Sequence, residues 1–407
     1  MRFFLPLVLA GSAAPVTAQL SLPGISLPQP RVLDPITGEA AEIGSDVQRL
    51  TNQLARDRLR RVDRLVRRNR DLIERDAFGD PARRGELLLM DADAATLRRA
   101  VEAGFRMIGE ERIEGLGVQV WRMALPAGIS LADGQKRLAA LAPHASVSAD
   151  VLHFSSGGGD DASMNALPFV AQAAVPAIAS PVGVIDGAPG SAVPVSRIRG
   201  FAEGAPAPSD HGSAVVDLLR RGGAREILVA DVYGTDKAGG NALAIARGLG
   251  WLVESGSKVV NMSLVGPRNA VLERAVEAAQ ARGVVIVAAV GNDGPAAPPA
   301  YPASYAGVLA VTGVDRKDHA LIEAGHALHI DYAAPGADIH SVDARGKRSS
   351  LRGTSFAAPL VSARAAVAMA ATDGWRRRLD SEARDLGPKG VDRTYGRGLL
   401  CGNCVER

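Results

Sequence analysis

Hydrophobic and polar positions change their rhythm along this chain, and each rhythm predicts a different kind of element. In RLTNQLARDRLRRVDRLVRRNRDLIERD, residues 49 to 76, Leu50, Leu54, Leu59, Val62, Val66 and Ile73 recur at roughly helical spacing under a coat of arginines. That spacing predicts a solvated amphipathic helix. From Gly85 the pattern shortens to a strand ELLLMD, a helix AATLRRAVEAG, two strands between Arg106 and Met123, a helix SLADGQKRLAAL and a last strand near ASVSADVLHF. The order βαββαβ predicts a small α+β sandwich, open on one face. Further on, continuous apolar runs (SPVGVID, REILVADVYG, SKVVNMSL, GVVIVAAVGN, AGVLAVTGV) alternate with helices. Strands without a polar alternate are covered on both faces, so the expected fold is α/β, with a mostly parallel sheet between two layers of helices.

The punctuation between these rhythms sets the expected domains. MRFFLPLVLAGSAAPVTAQ has one Arg, a short apolar run and a small-residue exit, which predicts a signal peptide over residues 1–18 and a secreted or periplasmic protein. Residues 19–84 hold a linker rich in Pro, Gly and Ser followed by the basic helix, 85–154 the sandwich, and 155–407 the α/β domain. SSGGGDDASMN, at the second junction, has the composition of an exposed boundary.

Composition changes this picture in two places. A formal net charge of +3, with 26 Lys and Arg against 25 Asp and Glu from Ser155 onward, leaves no footprint for nucleic acid. No stretch after the leader runs to 18 uninterrupted apolar residues, so no stable membrane span is expected, and the protein is expected to be a monomer. Cys401 and Cys404 are too close to staple a long loop, which points to a local disulfide, with free thiols as the alternative.

One hydroxyl stands out in SLRGTSFAAPLVSARAA. From Phe356 to Ala370 the only strongly polar side chain is Arg364, so Ser355 sits at the mouth of a helix buried nearly all round, with Pro359 near its first turn. Ser is a common helix cap. A helix N-terminus also favours developing negative charge, which suits a nucleophile. In parallel sheets sites form at the carboxyl ends of the strands. There stand Asp186, ending VGVID, and Asn292, after VVIVAAV, while His211 opens the following helix in SDHGS. A hydroxyl needs an imidazole to take its proton, the imidazole needs a carboxylate to fix its tautomer, and an amide can hold the oxyanion.

These motifs, GTSFAAP, HGS, VGVID, NMSL and AVGNDGP, in the order Asp, His, Asn, Ser, resemble the subtilisin family of serine proteases, and the likeness runs from about Ser180 to Leu400. The resemblance implies an endopeptidase acting on polypeptides, with Ser355 as nucleophile, His211 as base, Asp186 as its orienting carboxylate and Asn292 as oxyanion donor. It further implies that substrate adds as a strand beside Ser263, Leu264, Val265 and Gly266, and that Ala289, Val290 and Gly291 wall the pocket for the side chain before the scissile bond. The sandwich resembles the family's propeptide, a partner expected to be removed by self-cleavage within about five residues of Phe154. Three positions depart from the pattern: Asp186 is followed by Gly-Ala, Ala214 replaces a common His, and Val265 stands where Gly is usual. They motivate one alternative, a catalytically weak pseudoenzyme that binds extended peptides. His326, His329 and Asp331 have the wrong spacing for a metal site; no cofactor is expected, and structural calcium stays open.

Overall fold

The apolar runs do form strands, and their period of two divides their side chains between two cores. The computed structural model describes residues 38–156, 177–371 and 374–404. The chain divides into two units, Met1–Asp46 and Val47–Arg407, and everything described here about the site lies in the second. The expected signal peptide falls outside the described residues. In chain order the elements are α1 (Gly38–Arg68), β1 (Ile73–Arg75), β2 (Pro81–Met90), α2 (Ala94–Glu102), β3 (Arg106–Arg112), β4 (Gln119–Ala124), α3 (Leu131–Leu141), β5 (Ser146–Val151) and β6 (Phe154–Ser155). There follow β7 (Val182–Asp186), β8 (Arg197–Gly200), α4 (Asp210–Arg221), β9 (Ile227–Asp231), α5 (Ala242–Glu254), β10 (Val259–Met262), β11 (Leu264–Val265) and α6 (Ala270–Gln280). The last are β12 (Val285–Ala289), β13 (Leu309–Val314), β14 (Tyr332–Pro335), β15 (Ile339–Val342), β16 (Arg348–Leu351), α7 (Thr354–Ala371) and α8 (Trp375–Glu382).

Seven strands form one sheet in the order β14-β13-β12-β10-β7-β9-β8, and every pairing in it is parallel. Val182, Val184, Val229 and Val287 point to the face covered by α4 and α7; Ile185, Leu228, Val260 and Ile286 point to the face covered by α5 and α6. α7 is long and apolar enough to cross a membrane, yet 78% of it is buried in this core, so its composition is that of a central core helix. The edge strand β8, RIRG, was hidden from pattern reading because it is largely exposed and charged.

The βαββαβ order appears as expected, with one addition. Ile73 does not extend the helix: α1 stops at Arg68, the Asn69 side chain donates back to the Leu65 carbonyl (2.8 Å), and Ile73 enters β1 beside Arg83 of β2. Val66 and Ile73 are seven residues apart, a spacing that a helix followed by a strand satisfies as well as one long helix. The sheet thus begins before residue 85, in a stretch, PARRG, whose polarity concealed it. The strand nearest the α/β layer, β5, is tied to two helix N-termini. The Asp150 carboxylate accepts from Leu243 N at the start of α5 (2.9 Å), and Asn269, the cap of α6, donates to the Ala149 carbonyl (2.8 Å). Carboxylates are favoured at such ends. At the other end of the chain, Cys401 and Cys404 form a disulfide.

Candidate active site

The residues singled out in the sequence come together at the carboxyl edge of the parallel sheet. Asp186 is the last residue of β7 and fully buried; its Oδ1 accepts from Gly187 N (2.8 Å). His211 is the second residue of α4, whose start is fixed by Ser209 accepting from Gly212 N (3.1 Å). Its Nδ1 lies 3.0 Å from Asp186 Oδ1 and 2.9 Å from Oδ2. An Nδ1–H held by a carboxylate leaves Nε2 as the basic nitrogen. That Nε2 is buried and has no hydrogen-bond partner among the described residues. The His211 ring packs on Phe356, next to Ser355 in sequence, with centroids 5.6 Å apart.

Ser355 is the second residue of α7 and fully buried. Pro359 lies deeper in the helix than its first turn, and its missing N–H would have bonded the carbonyl four residues back, that of Ser355. Ser263 repairs the loss: its Oγ donates to the Ser355 carbonyl at 2.8 Å. Asn261 donates to Ser263 Oγ (3.0 Å), and Ser362 Oγ donates to Asn261 Oδ1 (3.0 Å). A buried polar chain anchored on β10 therefore holds the start of α7. In the sequence Asn261 stands in NMSL with no role of its own and Ser362 carries no signal, because only the fold brings α7 over β10.

Asn292 follows β12, and its Oδ1 accepts from Thr354 N (3.0 Å), which leaves the amide nitrogen to donate elsewhere. Gly353, at φ +142°, explains why no side chain is tolerated there. A Cβ on it would lie 2.7 Å from Asn292 Nδ2 and 3.5 Å from the Ser156 carbonyl oxygen. The amide nitrogen and that carbonyl thus border the same small space. Thr354 and Gly291 bond reciprocally through Thr354 Oγ1 (3.0 and 3.1 Å).

The chain itself occupies the cleft. β6 pairs antiparallel with β11, Ser155 opposite Leu264 and Phe154 opposite Val265. Ser156 N then donates to the Ser263 carbonyl (3.0 Å), and Ser156 Oγ lies 2.6 Å from Ser355 Oγ. Of the expected substrate-binding residues, Ser263, Leu264 and Val265 contribute this backbone edge. Val265, Gly266, Val290 and Gly291 line a cavity of about 750 Å³ that also contains Ser156 and Asn292. Ala289 does not line it: as an alternate residue of β12 its side chain points into the core beneath α7. Leu264 likewise buries its side chain in the opposite core. The Val265 methyls face Gly291, 3.1 Å from where a Cβ would stand.

Two groups beside the cleft had no signal in the sequence. The His153 ring is fully buried against Gly266 with both nitrogens unpartnered, and burial pushes its pKa down to about 4. The Tyr233 hydroxyl is buried, and burial, helped by the nearby Asp186 carboxylate, pushes its pKa up. His329, by contrast, is drawn away from the site to the Val308 carbonyl (2.9 Å) and Asp331.

A parallel sheet that gathers a buried carboxylate–imidazole pair, a hydroxyl at a helix N-terminus and an amide beside it presents the groups that acyl transfer of the serine-peptidase kind requires. Residues 207–398 match the model of the subtilase family. The chain belongs to that family and is a serine endopeptidase. It is 33% identical over 236 residues to subtilisin BL of Lederbergia lenta, covering 53% of this chain and 86% of that protein. Against subtilisin DY of Bacillus licheniformis the identity is 35% over 170 residues, or 40% of this chain and 61% of the relative. Among solved structures, fervidolysin from Fervidobacterium pennivorans shares the fold, with a TM-score of 0.61 at 19% identity. That match covers 79% of this chain and 61% of fervidolysin. The structural match reaches further along this chain than the sequence matches do.

Proposed function

We propose that the chain is the precursor of an exported subtilase that cuts itself after Ser156. The single observation that carries this reading is the seating of β6 on β11, with the Ser156 and Ser355 hydroxyls 2.6 Å apart. Main-chain pairing at a sheet edge is how extended peptides are held. In the proposed reaction His211 Nε2 takes the Ser355 proton as Oγ adds to the Ser156 carbonyl carbon. The oxyanion is held by Asn292 Nδ2 and the N–H of Ser355, a first-turn donor without an intrahelical partner. Collapse breaks the C–N bond, His211 returns the proton to the departing amine of Gly157, and water then releases the acyl group from Ser355. Foreign polypeptides follow the same course once the cleft is vacated.

Residues 85–154 act in this reading as the propeptide, since a slow-forming parallel sheet gains from a partner that covers α5 and α6 during folding. Export is supported by the composition of residues 1–18 and by the Cys401–Cys404 disulfide, which persists in oxidising compartments. The pseudoenzyme alternative draws no support from the geometry: the Asp186–His211 pair is intact and the Val265 methyls face Gly291.

Intact-mass measurement of wild type and Ser355→Ala tests the proposal. The expected result is a wild-type product beginning at Gly157 and an uncut variant. Identical masses for the two proteins, cut or uncut, overturn it.

A further inference from the structure

The cavity beside Ser156 is much larger than a serine needs, and Ser156 turns its hydroxyl to Ser355 rather than filling it. What reaches into it is the arginine-rich helix α1. Leu54 lies 3.1 Å from where a Cβ on Gly294 would stand, Arg58 Nε lies 3.4 Å from Asp293 Oδ2, and Arg61 makes an ion pair with Asp293 Oδ1. Asp293 directly follows Asn292 and lines the same cavity.

Among the described residues after 177, this is the one carboxylate on the cavity wall. The other ionisable side chains that region contributes are Arg268, which is committed to Glu273 at 2.6 Å, Tyr301 and His326. Asp293 is largely enclosed, with 23% of its side chain exposed, and among the described residues its ion pairs are to Arg58 and Arg61. A half-buried carboxylate beside apolar walls is costly without a cation. When residues before 157 depart, both guanidiniums leave, and no other described residue pairs with the carboxylate.

We propose that Asp293 is a specificity-determining residue that selects substrates with Arg or Lys before the scissile bond, and that Arg58 and Arg61 of α1 occupy it in the uncut chain as internal ligands. α1 thereby blocks the side-chain pocket while β6 blocks the backbone edge. Arg58 meets one oxygen of Asp293 and Arg61 the other, and a single planar guanidinium can take both oxygens where an ammonium cannot, so Arg is favoured over Lys. The inference rests on the self-cleavage and on the role of Ser355 given above.

The test uses the active protein obtained by expressing the full chain, with peptides that differ only in the residue before the cut. Wild type should show kcat/KM for Arg at least about tenfold above Leu, and Asp293→Asn should lower that ratio about tenfold. Asp293→Lys should turn the preference toward Glu. A second measurement needs no variant enzyme: a synthetic peptide of residues 48–68 should inhibit wild type competitively, and one carrying Arg58→Ser and Arg61→Ser should inhibit about tenfold less. Wild type that cleaves peptides without preferring Arg, or equal inhibition by the two peptides, overturns this inference alone. Wild type that cleaves none of the peptides overturns it together with the assignment of Ser355.

Discussion

The hydroxyls of Ser156 and Ser355 lie 2.6 Å apart although 199 positions separate them in sequence. The contact makes the fate of one bond depend on one atom. Ser355→Ala should abolish peptidase activity and self-cleavage while the fold survives. The variant loses a small group and leaves Ser156 Oγ without that partner, a cost of about 1 kcal/mol. Thermal unfolding and peptide hydrolysis, measured on the same sample, check both halves.

Asn292→Ala should leave residual activity, lower by about a hundred- to a thousandfold in kcat; that range is the one known for the oxyanion-hole asparagine of subtilisin itself. Because Asn292 Oδ1 also accepts from Thr354 N, a small loss of thermal stability should accompany it. A loss in KM alone would assign Asn292 to binding.

Ser263→Ala removes the donor that satisfies the carbonyl orphaned by Pro359. Leaving that buried oxygen unpaired should cost about 1–3 kcal/mol. Pro359→Ala restores an N–H to the helix at that point, so the double variant should be less destabilised than the sum of the singles. Strict additivity in denaturant unfolding would show that the two positions are not linked.

Val265→Gly should broaden specificity near the scissile bond, since the Val265 methyls stand against Gly291 at the cavity wall. Cleavage profiles on a peptide library decide it, and unchanged profiles would place the effective wall elsewhere.

The tail and its sheet should respond to pH in opposite directions, measured as the unfolding of uncut Ser355→Ala. His153 is held near 4 by burial, so the unfolded chain binds its proton first, and stability should fall as pH drops from about 6.5 toward 4. Asp150 is pushed up to about 7 by burial, so the folded chain holds its proton longer, and its neighbourhood should lose stability as pH rises from about 4 to 7. Replacing His153 by Gln should remove the acid limb, and Asp150→Asn the alkaline one.

Much of this was legible in the sequence, for a physical reason. Runs such as VVIVAA and ILVA are apolar at both parities, so they announce a doubly covered parallel sheet without help from their neighbours. Asp186, His211, Asn292 and Ser355 could be found because each stands at the end of such a run or at a helix start. What could not be read depends on contacts between distant segments. Ser263 reads as part of the substrate edge, and only the fold shows that its hydroxyl also completes α7; Ala289 reads as a pocket wall and is core; Ile73 shares a helical period with Val66 and joins a strand. The arginines of α1 read as a solvated face because nothing in their own stretch names Asp293 as their partner.

The edge presented by β11 is only two residues long and bonds through backbone atoms. A prospective target must therefore surrender a short length of its own structure before it can be held, whatever its side chains. The rate at which this enzyme degrades a folded protein then gauges how often that protein opens locally, so well-folded neighbours outlast damaged ones in the same mixture.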